Sequence, residues 1–142
     1  MSYQILFNFS VQAAPEHVFK SVSDPSELEK WWPLRCTGQP KLGAEYNFFF
    51  EEPYDWYGQV AECEPGKSFR IRMTKSDPDW DSTTFGWDLK QSTKGTEVNF
   101  SHVGWTQQNR HYAHTAWSWA GLMRGLKRYL ETGEVTPFDQ RN

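Results

Sequence analysis

Apolar and polar residues alternate from the first residues of this chain. Tyr3, Ile5, Phe7, Phe9 and Val11 fall on one side of an extended segment, which predicts an opening strand. "APEHVFKSV" follows, with Pro15 suited to a first helical position and Val18, Phe19 and Val22 forming an apolar stripe. A second short helix is predicted at "SDPSELEKWWPLR", with Asp24 as N-cap, Pro25 at N1 and Glu27 at N3 in a capping-box arrangement. Leu28 and Trp31 or Trp32 would supply its buried side, and Pro33 would end it. Neighbouring helical positions point about 100° apart, so one flat face does not readily take both tryptophans.

Strands then recur between turn signals. "AEYNFFF" is followed by the turn "EEPYD" and by "WYGQVAEC", in which Gly58 marks a bulge or a close approach. "EPGK" sets Pro65 and Gly66 for a type II turn. In "SFRIRMT", Phe69, Ile71 and Met73 oppose Arg70 and Arg72. "SDPDWD" reads as a loop. "TTFGWDL" and "TEVNFSH" put Phe85, Trp87 and Leu89, then Val98, Phe100 and His102, on inner faces, with "TKG" turning between them. The last element is a helix from about Gln108 to Glu131. Tyr112, Ala116, Trp119, Met123, Leu126 and Leu130 form its core face, and Gly133 stops it. The pattern therefore predicts an α+β fold. A curved antiparallel sheet of about six strands wraps the long C-terminal helix, the only element large enough to cover the sheet's apolar face.

Composition sharpens this picture. The 142 residues suit a single domain spanning 1–142. A mean hydropathy of -0.79 would point to disorder, but 8 Trp, 10 Phe and 6 Tyr point to an interior built from rings. The net charge of -3 comes with scattered Lys and Arg, which argues against a nucleic-acid partner. No apolar run is long enough to span a bilayer, and the N-terminus reads as a strand and not a signal peptide, so a cytoplasmic location is expected. Cys36 and Cys63 lack CxxC spacing and read as free thiols in a reducing compartment.

Four stretches taken in order resemble a known family: "APEHVFKSVSDPSELEKWW", "GQVAECEPGKSFRI", "GTEVNFSHVGW" and "WSWAGLMRGLKRYLETGE". Together they are similar to the START-like (SRPBCC) superfamily, whose helix-grip fold is also that of the birch pollen allergen. Within it they most resemble the family of heat-shock-protein-90 ATPase activator homologues. Ser118 stands before Trp119, where many members carry Gly. The resemblance implies the helix-grip fold and, in related domains, binding of sterols, lipids, polyketides or plant hormones. A minority of related domains catalyse cyclisation or dehydration. The co-chaperone activity belongs to eukaryotic proteins with an additional domain and is not carried over.

No nucleophile elbow or Cys–His pair is present. His111 and His114 form an HxxH pair without the Glu and third ligand of stronger zinc motifs, so no metal or cofactor is expected. The inner-face residues are the candidate site. Phe48, Phe50, Met73, Phe85, Trp87, Phe100, His102, Trp119 and Met123, joined by Trp32 and Trp56, are expected to surround a volume for a hydrophobic or aromatic small molecule. His102 would be its polar anchor or a structural histidine. A binding role is favoured over catalysis. The alternatives are a cyclase or dehydratase using the same cavity, or a co-chaperone-like interaction module. Trp117 lies about 200° from Trp119 on an outer stripe with His114, Gly121, Arg124 and Arg128, which suggests a weak homodimer through that face.

Overall fold

A computed structural model describes residues 2–141. Strand β1 (Tyr3–Val11) leads into α1 (Pro15–Ser23) and α2 (Pro25–Leu28). Six strands follow: β2 (Arg35–Thr37), β3 (Glu45–Glu51), β4 (Tyr54–Glu64), β5 (Ser68–Lys75), β6 (Thr84–Ser92) and β7 (Gly95–Trp105). The chain then forms α3 (Arg110–Thr132) and a short 3-10 turn, Phe138–Gln140. All seven strands join one antiparallel sheet in the order β1-β7-β6-β5-β4-β3-β2. Strands β2 to β7 form a hairpin meander, and β1 closes onto the last strand.

The alternation sets which residues face α3. Phe69, Ile71 and Met73 are buried on β5, Phe85, Trp87 and Leu89 on β6, and Val98, Phe100 and His102 on β7. Helix α3 lies against them through Trp119, Leu122, Met123, Leu126 and Leu130, with Thr115 also buried and Tyr112 and Ala116 half-buried at the edge. The Phe100 and Trp119 rings lie 4.6 Å apart between centroids, and the Trp87 indole N–H points at Met123 Sδ at 3.4 Å. Helix α3 starts where Asn109 Oδ1 accepts the Tyr112 N–H at 2.9 Å. It ends at Gly133, whose φ of 80° no β-carbon-bearing residue adopts without strain.

Three local expectations need correction. Strand β2 was hidden in "RCT", three residues that carry too little alternation to register as a strand. The capping box does not close. Asp24 Oδ1 caps Ser26 N–H at 2.9 Å, but the Glu27 carboxylate turns away to accept from the Tyr129 hydroxyl at 2.8 Å, while the Asp24 N–H goes to Lys20 O. Helix α2 stops at Leu28, so neither tryptophan lies in a regular helix. Freed from helical spacing, Trp31 and Trp32 are both buried, stacked at 6.1 Å and 23°.

Candidate functional site

Trp31 is the inner of the two rings. Its indole donates to Ser21 O at 2.9 Å, and its edge meets Trp87 at 6.1 Å. Trp32 lies against Phe48, Phe85 and Trp119 at 5.0, 5.3 and 4.9 Å. Its other side reaches a cavity of about 660 Å³ at one end of the gap between sheet and helix.

Each wall of that cavity comes from a different element. The tip of the β3–β4 hairpin gives Phe50, Glu51, Tyr54 and Trp56. The loop between β5 and β6 gives Asp77 and Trp80. The first half of α3 gives His111, His114, Thr115, Ser118, Trp119 and Leu122. The C-terminal segment folds back to supply Phe138, Asp139 and Arg141. Ser118 thus stands on the cavity wall, half-buried. The rings form a continuous surface: Phe50 to Trp56 at 5.3 Å, Trp56 to Trp80 at 4.9 Å, and Trp80 to Trp119 stacked at 5.9 Å and 25°.

Of the residues expected around the ligand volume, Trp32, Phe50, Trp56 and Trp119 line this cavity. Phe48, Met73, Phe85, Trp87, Phe100, His102 and Met123 lie behind it in a core with little exposure, where ring packs on ring. The bulk of those side chains fills the central gap, and the open volume is displaced to the end where β3, β4 and the β5–β6 loop diverge.

His102 is held from both sides. Trp119 Nε1 can only donate, and it lies 3.0 Å from His102 Nδ1, so the ring proton sits on Nε2. Nε2 then donates to Thr83 Oγ1 at 2.8 Å, and the Thr83 hydroxyl donates to Trp80 O at 2.6 Å. Burial, with His111 nearby, lowers the His102 pKa to about 3. The imidazole is neutral, saturated and outside the cavity lining. Its work is to tie the Trp80 loop to β7 and α3.

Sequence reasoning missed Trp80 and the C-terminal segment. Trp80 sits in a polar loop yet is only 6% exposed. The signal available was a large ring within "SDPDWD", where self-bonding aspartates fold the loop inward: Asp79 N–H donates to Asp77 Oδ1 at 3.0 Å and Ser76 N–H to Asp81 Oδ1 at 2.7 Å. Arg141 fastens the returning C-terminal segment. Its Nη1 donates to Glu29 O at 2.7 Å and Pro33 O at 3.2 Å, and its Nε donates to Thr136 O at 2.8 Å. Cys36 is a free, buried thiol whose pKa burial pushes up to about 12, which makes it a poor nucleophile.

An open antiparallel sheet gripping a long C-terminal helix, with a ring-lined cavity at one end, defines a START-like domain. The sequence profile described as "Activator of Hsp90 ATPase homolog 1-like protein" matches residues 12–131, and the chain belongs to that family. The fold is similar to the solution structure of the Aha1 dimer from Colwellia psychrerythraea. That likeness has 25% identity and a TM-score of 0.85, and covers 93% of this chain and 98% of that one. Protein SSP2350 from Staphylococcus saprophyticus matches at 19% identity and a TM-score of 0.79, over 94% of this chain and 96% of that one. DynU16, a protein of the dynemicin biosynthetic locus, matches at 22% identity and a TM-score of 0.77, over 93% of this chain and 48% of its own longer chain. Among curated proteins none matches. Among the described residues no helix is long and apolar enough to cross a membrane.

Proposed function

We propose that this protein binds a hydrophobic, aromatic small molecule in the cavity between the sheet and α3. The observation that carries this reading is a set of five rings, Trp32, Phe50, Trp56, Trp80 and Trp119, lining one volume of about 660 Å³, with Phe50 and Trp56 the more exposed of the five. Cavities of this size suit a drug-sized ligand, and flat apolar walls favour flat ligands. Asp77, His111 and Arg141 at the edge supply polar groups that would orient a ring substituent. DynU16, similar in fold, belongs to a biosynthetic locus, which is in keeping with a small-molecule ligand. A native mass spectrum of freshly purified protein tests the reading: a co-purified molecule adds a discrete mass. Titration with a panel of polycyclic aromatic compounds then gives saturable binding that Trp56→Ala weakens at least ten-fold. Absence of saturable binding across the panel would overturn it.

We also propose a homodimer through the outer face of α3. Trp117 is 71% exposed there, and the Colwellia relative is a dimer. Burying an indole of that exposure against a second copy is favourable by roughly 1.5–3 kcal/mol per ring, which offsets part of an association cost of about 4–15 kcal/mol, so a dimer through this face would be weak.

A further inference from the structure

We propose that Asp77, Asp79 and His111 form a binding site for a divalent transition-metal ion at the mouth of the aromatic cavity. The loop between β5 and β6 brings two carboxylates to one imidazole nitrogen at the first residues of α3. His111 Nδ1 lies 3.0 Å from Asp79 Oδ2 and 3.4 Å from Asp77 Oδ1, and one ligand atom from each residue lies within 4.8 Å of the other two. Ligand atoms held about 2.0–2.2 Å from a common ion are about 3.0–3.5 Å apart in tetrahedral or octahedral geometry. The two distances to Nδ1 fall in that range before any ion is bound.

Charge balance points the same way. Among the described residues no lysine or arginine makes an ion pair with Asp77 or Asp79. The one chargeable group that both carboxylates face is therefore His111 Nδ1, which carries at most one proton against two negative charges. A divalent cation replaces that one proton and neutralises both charges. The carboxylates are already oriented. Asp77 Oδ1 accepts the Asp79 N–H at 3.0 Å, and Asp79 Oδ2 accepts from Asn109 Nδ2 at 3.4 Å, the same Asn109 that caps α3. Such outer partners fix ligand direction.

The donor set selects the ion. An imidazole with two carboxylates and no thiolate suits Zn(II), Mn(II), Co(II) or Ni(II) over Ca(II), which prefers all-oxygen cages. All three residues are half-buried, and three protein ligands leave coordination positions for water. Asp77 and His111 also line the cavity, so those positions lie beside its entrance. His114, three residues on, lines the same wall but is not one of the converging groups. The HxxH spacing therefore contributes one ligand, and the partners come from a loop 32 residues earlier in the chain.

The test uses the ion alone, without any small molecule, so its outcome is independent of the ligand-binding proposal. Metal-free protein with no affinity tag is titrated with ZnCl₂ by calorimetry, and with CoCl₂ while its visible spectrum and imidazole proton resonances are followed. One equivalent binds, and bound cobalt shifts or broadens the His111 ring signals. Asp79→Asn and His111→Ala each lose at least ten-fold in affinity, with circular dichroism confirming the fold, whereas His114→Ala binds as the parent does. The proposal is overturned if no stoichiometric binding occurs, if both ligand variants bind as tightly as the parent, or if cobalt perturbs other histidines and leaves His111 unchanged.

Discussion

Trp119 on α3 donates its indole N–H to His102 Nδ1 on β7 at 3.0 Å, and this bond fixes the histidine as a neutral ring that donates from Nε2. A pH dependence follows. The folded-state pKa, lowered to about 3, lies below the ordinary value of 6.5. Between those values the unfolded chain binds a proton that the folded protein excludes. Stability therefore falls as pH drops from about 6.5 towards 3, with a contribution approaching about 1.4 kcal/mol per pH unit from this residue. His102→Phe removes that contribution. Urea unfolding at pH 4.5 and 6.5 should show a smaller difference between the two pH values in the variant than in the parent. The variant is also less stable at pH 7, because the buried Trp119 indole N–H loses its acceptor, at about 1–3 kcal/mol, while Thr83 Oγ1 loses one donor and keeps its bond to Trp80 O. An unchanged pH slope would contradict the account of His102.

Arg141 holds the C-terminal segment across the end of α2. It bonds carbonyl oxygens of Glu29 and Pro33, which an end of helix and a proline turn leave without backbone partners. Arg141→Lys keeps the charge but loses the fork that reaches several carbonyls at once. Hydrogen exchange in residues 134–141 should accelerate at least ten-fold in Arg141→Lys and in Arg141→Ala, while the exchange of β6 and β7 is unchanged. Equal protection in the parent and both variants would show that the fork does not hold the segment.

Gly58 lies at a register shift between β4 and β5, and a β-carbon there would sit 2.5 Å from Ile71 Cγ2 and 3.2 Å from Met73 Sδ. Gly58→Ala therefore forces two core side chains aside and destabilises the fold by about 1–3 kcal/mol. Gly43→Ala has open space around its added methyl but a φ of 84°, so its cost comes from backbone strain alone. Chemical denaturation of the two variants separates crowding from strain: Met73→Leu changes the penalty of the first and leaves that of the second.

Much of this fold was legible in the sequence because its signals are local. Alternation in "SFRIRMT" and "TEVNFSH", Pro65–Gly66 at a turn, and the three-or-four spacing of Trp119, Met123, Leu126 and Leu130 each depend on neighbours within a few residues. The site was less legible. His102 alternates onto the inner face as expected, but whether an inner residue meets ligand or protein depends on how completely Phe85, Trp87 and Phe100 fill the gap. Ring volume at a distance decides that, and no spacing records it. Trp80 and Arg141 reach the cavity through loop paths set by Asp77, Asp81 and the carbonyls of Glu29 and Pro33. These are contacts between segments up to 112 residues apart.

Trp117 offers a direct check of self-association. Sedimentation velocity of the parent across a hundred-fold concentration range should show reversible dimer formation, and Trp117→Glu should sediment as a monomer throughout. A parent that stays monomeric at the highest concentration would contradict the outer-face dimer.

The proposed aromatic ligand would enter between the β3–β4 tip, the Trp80 loop and α3. The indole N–H resonances of the eight tryptophans report on it residue by residue. During titration with a polycyclic aromatic ligand that binds saturably, the signals of Trp32, Trp56, Trp80 and Trp119 should shift together along one binding isotherm. Those of Trp87, in the packed core, and Trp117, on the outer face, should hold still. Saturable shifts confined to Trp117, or no saturable shift at any of the four cavity tryptophans, would contradict the account.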